Sequence, residues 1–321
     1  MAGVKVPKYA KLPTRPGLEG KCSWGVFGEQ DELGCLNFLT PECVAAAAKL
    51  VKDGKVFRLD MPVGFGGEAP LFNRPQVQHR IAPVREGMIV FDDIIDAYDT
   101  QEGSQWDGFR HYGHPHGQLY NGVSPQDVKP GPQGRLGIQK WKSKLVGRGV
   151  LIDMLKWRAK HKRPVQATTT NECFTVAEFE AALKAQKTKV RPGDFLLVRT
   201  GWMTQYKALS PENKRSMGNL QVMRSCGVDP HVEMIGWLWD HHVAAIGCDN
   251  PMVEPYPPRA DRGHLHPHAL SYLGLPLGEQ WDMDELADDC ARDKRYEFMF
   301  VSVPLHLVGG VASPPNAVAI K

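Results

Sequence analysis

The chain has 321 residues, 42% of them hydrophobic and 23% charged, and a formal net charge of only +3. That length supports a sizeable core in one large domain or two modest ones, and the weak charge gives no ground for nucleic acid or an acidic membrane surface as a partner. With 32 glycines and 25 prolines, loops and turns are favoured over a helical bundle.

Residues 1–20 carry lysines and prolines with little apolar periodicity, and they read as an extended arm. They lack the apolar run of a signal peptide, and nothing downstream approaches the length of a membrane span. Seven cysteines at positions 22, 35, 43, 173, 226, 248 and 290 form no CxxC pair, so reduced, mostly buried thiols and a cytoplasmic location are expected. Thr40-Pro41-Glu42 opens a helix with a cap, a first-turn proline and an acid at the positive dipole end; Gly54 closes it. Val56–Leu59 has strand character, and Phe65–Gln78 is a Gly- and Pro-rich loop. Met88–Ile95 is expected as a strand that delivers the next segment to the mouth of a sheet.

Gly149–Asp153, Gly193–Arg199, Val243–Cys248 and Tyr296–Val303 are apolar runs of buried-strand length. Between them, Thr175-Val-Ala-Glu178 is a capping box that starts a helix reaching Lys187, and Asp229–His242 is a second helix. Asp282–Asp289 is a third, with Asp282 and Glu285 as its capping box. Strands alternating with helices predict an α/β domain with one central mixed sheet flanked by helices. No repeat or low-complexity linker divides the chain, so residues 21–321 are expected as a single catalytic domain. Nucleotide-binding glycine motifs are absent.

The segment Gln101–Gly122, QEGSQWDGFRHYGHPHGQLYNG, holds the densest chemistry. Its polarity reads as an exposed or cleft-lining loop. Asp107 and His111 lie four apart, with His114 and His116 close behind. A carboxylate and imidazoles at such spacings suit a divalent cation or proton exchange with a substrate; a Gly-rich turn with satisfied histidines is the plainer alternative. Trp106, Phe109, Tyr112 and Tyr120 either wall an aromatic substrate pocket or pack the segment onto the sheet. Asn121 either orients a substrate carbonyl or makes an Asn-Gly turn. Asp249 and Glu254 follow a strand end, where α/β sheets gather ligands. His264, His266 and His268 alternate, and in an extended segment would point one way.

Four ordered landmarks, Gly149–Asp153, Arg191–Trp202, Ala245–Asp249 and Leu265-His266 with Gly278-Glu279, together with the tail Pro304–Ile320, resemble the cyclase family that includes bacterial kynurenine formamidase and isatin hydrolase. The resemblance runs over about residues 20–320. It implies a swivelling β/β/α fold, usually oligomeric, that hydrolyses an amide, lactam or lactone with a metal-activated water. The family signature H-x-G-T-H-x-D-x-P-x-H falls on Gln101–His111. Asp107 matches the metal aspartate and His111 the proton-shuttling histidine; Gly103 matches, and Ser104 replaces threonine. Gln101 and Gln105 stand at the two ligand-histidine positions, and Phe109 replaces proline. Glu279 matches the later glutamate and His266 the later histidine, with His268 its rival.

A carboxamide oxygen is a weaker ligand than imidazole for zinc-like ions. The expected cofactor is therefore one divalent ion, zinc or manganese, on Asp107, His266 and Glu279, or none. The function expected is hydrolysis of a small cyclic or acyl amide or lactone, with His111 as general acid/base and Asp107 beside it. Tyr112, Glu254, His268, Asp249, Asn121 and the aromatic residues are substrate-binding candidates. A metal-free cyclase or lyase acting on a small ring compound, or a non-catalytic binding protein, are the alternatives. A small-molecule substrate and a homodimer or homotetramer are expected, with neither nucleic acid nor membrane as partner.

Overall fold

The computed structural model describes residues 6–15, 20–67, 70–85, 87–114 and 117–321. His116 and parts of the 1–20 arm lie outside them. In chain order the elements are α1 (Pro41–Ala48), β1 (Val56–Arg58), β2 (Gln78–Pro83), β3 (Phe91–Asp96), β4 (Gln105–Asp107), β5 (Val146–Asp153), α2 (Met154–Lys160), β6 (Cys173–Phe174), α3 (Val176–Gln186), β7 (Phe195–Arg199), α4 (Trp202–Ala208), α5 (Pro211–Met217), β8 (Gly227–Val228), α6 (Val232–Asp240), β9 (Ala245–Cys248), β10 (Leu277–Glu279), α7 (Asp284–Asp293), β11 (Glu297–Ser302), β12 (Ala312–Ser313) and β13 (Ala317–Ile320).

Nine strands form one mixed sheet in the order β1-β13-β11-β5-β7-β9-β10-β4-β12. Its centre, β5-β7-β9-β10, is parallel, and every other pairing is antiparallel. The apolar runs Val150–Ile152, Phe195–Val198 and Ala245–Ile246 are wholly buried, as strands covered on both faces require. Thr175 and Glu178 form the expected capping box on α3. On α7 the expected box is absent: Met283 is the N-cap, and Asp282 Oδ1 instead accepts from the Asp284 N–H at 3.3 Å. Of the arm, Tyr9 is buried; its N–H donates to Asp240 at 2.7 Å, and Trp239 donates to the Pro7 carbonyl at 2.9 Å. All seven cysteines are free thiols, and among the described residues no helix is long and apolar enough to cross a membrane.

Two expectations about the region around residue 100 need correction. The strand expected within Met88–Ile95 does not lead into the central sheet. It is β3, paired only with β2 in a separate hairpin. Ile81, Met88, Ile89 and Phe91 of that hairpin are exposed. The polar segment after it, expected as an exposed or cleft-lining loop, is a loop only in part: Gln105–Asp107 is an inner strand and residues 102–110 are all buried, whereas 111–114 and 117–122 form turns.

A second, two-stranded parallel sheet pairs β6 with β8 and brings Gly227 against the backbone of Val253 and Glu254. The Val228 N–H donates to the Val253 carbonyl at 2.8 Å, and Asn250 Nδ2 donates to the carbonyls of Cys226 and Val253 at 2.8 and 3.2 Å. A Cβ at position 227 would overlap both the Val253 and the Glu254 backbone. Gly227→Ala is accordingly expected to lower stability by about 1–3 kcal/mol, the usual penalty of overpacking. Urea denaturation would read this, and an unchanged midpoint would contradict the close approach.

Candidate active site

The pleat of β4 sets the site. Its antiparallel register with β10 puts Gln105 opposite Glu279 and Trp106 opposite Gly278. Side chains alternate across a strand, so Gln105 and Asp107 share one face with Glu279 while Trp106 turns to the other. Trp106 is fully buried there. It meets Trp281 edge-on with centroids 4.8 Å apart and donates to Ser302 Oγ at 2.9 Å.

On the polar face, Gln105 Nε2 donates to Glu279 Oε2 at 2.7 Å and to Asp107 Oδ1 at 3.2 Å. Gln101 Nε2 donates to Asp107 Oδ1 at 2.6 Å and lies 3.1 Å from His111 Nδ1. Reversing either carboxamide would set oxygen against carboxylate oxygen, so the N–H groups must face the acids. His111 Nε2 is 3.9 Å from Asp107 Oδ1. Tyr112 packs beside His266, ring centroids 5.5 Å apart, and its hydroxyl is 3.4 Å from His264 Nδ1. The His111 and His264 side chains remain 26% and 30% exposed, which marks the side on which the centre opens to solvent.

His266 is buried among three acids. Its Nδ1 is 2.7 Å from Glu254 Oε2, and its Nε2 is 3.2 Å from Glu279 Oε1 and 3.7 Å from Asp107 Oδ2. Glu254 Oε1 also lies 3.0 Å from His264 Nε2. Burial disfavours charge on each of these groups, but the partners decide the outcome. For Glu254 burial is outweighed by His266 and His264, and its pKa falls to about 2. For His266 burial is outweighed by Glu254, Asp107 and Glu279, so the imidazolium is favoured. Asp107 stays below the usual carboxylate range because His111 and His266 outweigh its burial. Burial and then the Asp107 charge push Glu279 upward, so it keeps its proton where Asp107 has lost one. Burial, reinforced by His266, lowers the pKa of His111 against the pull of Asp107.

The ligand atoms of Asp107, His111 and His266 lie within 4.8 Å of one another, as do those of Glu254, His264 and His266. Whether these donors fit the divalent ion that the resemblance implies depends on the side of the centre. Where two imidazoles are expected, carboxamide N–H groups face Asp107 and Glu279. The Arg74 guanidinium stands behind them, 3.3 Å from Gln105 Oε1 and bonded to the Gln101 carbonyl. That side repels a cation. On the other side, Asp107 Oδ2 and Glu279 Oε1 are buried with no hydrogen-bond partner among the described residues, and both face His266 Nε2. Glu254 holds the far nitrogen of that ring, and a carboxylate there is the usual orienting partner of a metal-ligating histidine. Asp107 and His266, with Glu279 3.2 Å from the same ring nitrogen, are the donors that would hold a single divalent ion, which would displace the protons that His266 and Glu279 otherwise keep.

The structure thus brings Asp107, His111, His266 and Glu279 together, with Tyr112 and Glu254 beside them. Other candidates for substrate contact lie elsewhere. Phe109 and Tyr120 are wholly buried against each other, and Phe109 also packs on Trp141; the Tyr120 hydroxyl donates to Asp31 at 2.9 Å. Asn121 pins the 25–31 turn through Gly25, Gly28, Glu29 and Asp31. Asp249 accepts from the Thr200 and Gly201 N–H groups and from the Thr200 hydroxyl, closing the turn after β7. His268 does not align with His264 and His266, because Pro267–Leu273 is a π-helix rather than an extended segment; its ring rests on Tyr272. His114 likewise packs against Tyr272. Arg74 escaped the sequence reading. It lies in a loop without a motif, and no local spacing ties it to Gln101.

The sequence profile described as "Putative cyclase" matches residues 59–255, and no curated protein matches the chain. Among solved structures, that of a novel cyclase is 32% identical, with a TM-score of 0.83 over 94% of this chain and 97% of its own. An isatin hydrolase bound to the product analogue thioisatinate shares the fold at 14% identity, with a TM-score of 0.57 over 88% of this chain and 98% of its own. Isatin hydrolase A from Labrenzia aggregata, bound to benzyl benzoate, shares it at 16% identity, with a TM-score of 0.56 over 85% and 94% of the two chains. With the profile covering more than half of its residues and the fold shared almost end to end, this chain belongs to the cyclase family.

Proposed function

We propose that the protein is a hydrolase that cleaves the C–N or C–O bond of a small cyclic or acyl amide or lactone with an activated water. Membership of the cyclase family supports an enzyme. The observation that carries the reading is the meeting of Asp107 and His111 with His266 and Glu279, from segments more than 150 residues apart, at a point that opens to solvent beside His111.

His111 is the general base. Its lowered pKa leaves the imidazole neutral at pH 7, able to take a proton from water as the oxygen attacks the carbonyl carbon. Asp107, which keeps its charge, stabilises the imidazolium that forms. When the tetrahedral adduct collapses, His111 returns the proton to the departing nitrogen or oxygen. The products are a carboxylic acid and an amine or alcohol, joined in one molecule if the substrate was a ring. A divalent ion on Asp107, His266 and Glu279 would supply Lewis acidity, drawing the pKa of water from 15.7 toward about 7. Gln101 spans Asp107 and His111 and so fixes the ring of the base relative to its acid.

A panel of lactones, cyclic imides and N-acyl anilides assayed in labelled water tests the reaction. One class is expected to turn over with solvent oxygen in the product, and His111→Ala to lower kcat by about 10²–10⁴-fold with the fold intact. Turnover without label, or a His111→Ala enzyme at full rate, would end the hydrolase reading.

Calorimetric titration with zinc or manganese tests the donor set separately. The native protein should bind one equivalent, and His266→Ala should abolish the binding. The double substitution Gln101→His/Gln105→His should tighten it by at least about 100-fold, since even one disturbed orienting partner changes affinity about 10–100-fold. An affinity insensitive to all three changes would place the ion elsewhere.

A further inference from the structure

Arg74 is more than a neighbour of the two glutamines. It follows two residues in the left-handed region, Phe72 (φ 61°) and Asn73 (φ 56°), an arrangement that non-glycine residues adopt only when their surroundings impose it. The Phe72 ring lies under the guanidinium, 5.1 Å from its carbon, and rests in turn on Tyr256. Nη1 donates to the Gln101 carbonyl and to Gln105 Oε1. A guanidinium carries five N–H donors. Among the described residues, those on Nε and Nη2 make no hydrogen bond, and no carboxylate pairs with Arg74.

Arg74 lines a groove of about 590 Å³ between the Leu71–Asn73 turn and the end of α5. Asn73, Arg215, Asn219 and Gln221 line it too, and none of its lining residues is acidic. Arg215 is exposed and, among the described residues, is not ion-paired. A fixed guanidinium whose Nε and Nη2 hydrogens are unbonded among the described residues matches the two oxygens of a carboxylate. Arg74 joins this groove to the polar centre: its Nη1 bonds the Gln101 carbonyl and Gln105 Oε1, and the Gln101 side chain lies 3.1 Å from His111 Nδ1.

We propose that this groove is a carboxylate subsite. Arg74 grips the acid group of the substrate side-on, Arg215 draws it in from the rim, and the bond to be cleaved lies toward His111. The substrate class, resting on the hydrolase reading above, is then an amide or lactone that already bears a carboxylate.

Benzoate and benzamide are suitable probes because they differ only in that charge. Calorimetry on the full chain should show saturable benzoate binding at least about 10-fold tighter than benzamide. Arg74→Lys keeps the charge but loses the fork, and should weaken benzoate about 10-fold. Arg215→Gln, on the exposed face and remote from the fold's core, should weaken it a few-fold at low salt and less at high salt. Equal binding of the two probes, or benzoate affinity unchanged in both variants, would overturn the subsite. Inorganic phosphate displacing benzoate at lower concentration would overturn the assignment to carboxylates. Benzoate binding of the expected pattern in a protein that hydrolyses nothing upholds the subsite and removes only the reaction. Hydrolysis of a neutral substrate that benzoate fails to inhibit removes the subsite and leaves the reaction.

Discussion

The three-residue pairing of β4 with β10 is the constraint on which the centre depends. On one face of that pair Trp106 packs against Trp281 and Gly278, and Phe300 closes the cluster. On the other, Gln105, Asp107 and Glu279 meet. A slip of one residue would drive Asp107 into the tryptophans and lift Trp106 into the polar site. Burying a carboxylate without partners costs several kcal/mol even after relaxation, and a fully buried tryptophan would lose its packing at the same time. The register is therefore held from both faces, and the relative position of two acids is fixed by a strand too short to be stable alone.

Around that pair the charges are arranged to be nearly self-sufficient. Asp107, Glu254 and Glu279 are all buried, and three anions so close would not survive together. His266 reaches all three, and Glu279 retains its proton. The two glutamines add four N–H donors and no charge, and Arg74 adds a cation outside them. In this setting imidazole at positions 101 and 105 would offer lone pairs, whereas carboxamide offers hydrogens to the same acids. Carboxamides at these positions leave the side framed by His266 as the one with open acceptor atoms and make the other side hydrogen-donating. That arrangement is also what lets an arginine stand so near without a carboxylate of its own.

The parallel core was readable because its strands are covered on both faces and appear as unbroken apolar runs, as in Leu196-Leu197-Val198. The site strand was not readable by the same rule. Its outer positions, Gln105 and Asp107, are polar because they face Glu279 and His266, so alternation around Trp106 resembled a loop. The meeting of Asp107 and His111 with His266 and Glu279 came from the family resemblance, since no local spacing links residues 107 and 279. The aromatic residues misled because their size serves the core at least as well as a pocket: Trp106, Phe109 and Tyr120 are all wholly buried. His268 misled because an alternating pattern has meaning only in an extended chain, and Pro267 starts a π-helix there.

Three of the twelve left-handed non-glycine residues among the described ones flank polar groups of this centre. Asn73 precedes Arg74, Val253 precedes Glu254 and Gln280 follows Glu279, and all three flanking residues have φ between 56° and 58°. Such conformations cost about 1–3 kcal/mol each for non-glycine residues and persist only where their surroundings fix them. For Val253 the surroundings are Asn250, the Val228 N–H and the bare Gly227. For Gln280 they are the Ser104 hydroxyl on its carbonyl and the Gly103 carbonyl on its side chain. The same conformation also closes helices at Lys187 and Lys294, so it marks a site only together with the contacts that hold it. At these three positions it is what the fold accepts to hold Arg74, Glu254 and Glu279 in their places around Gln105 and His266.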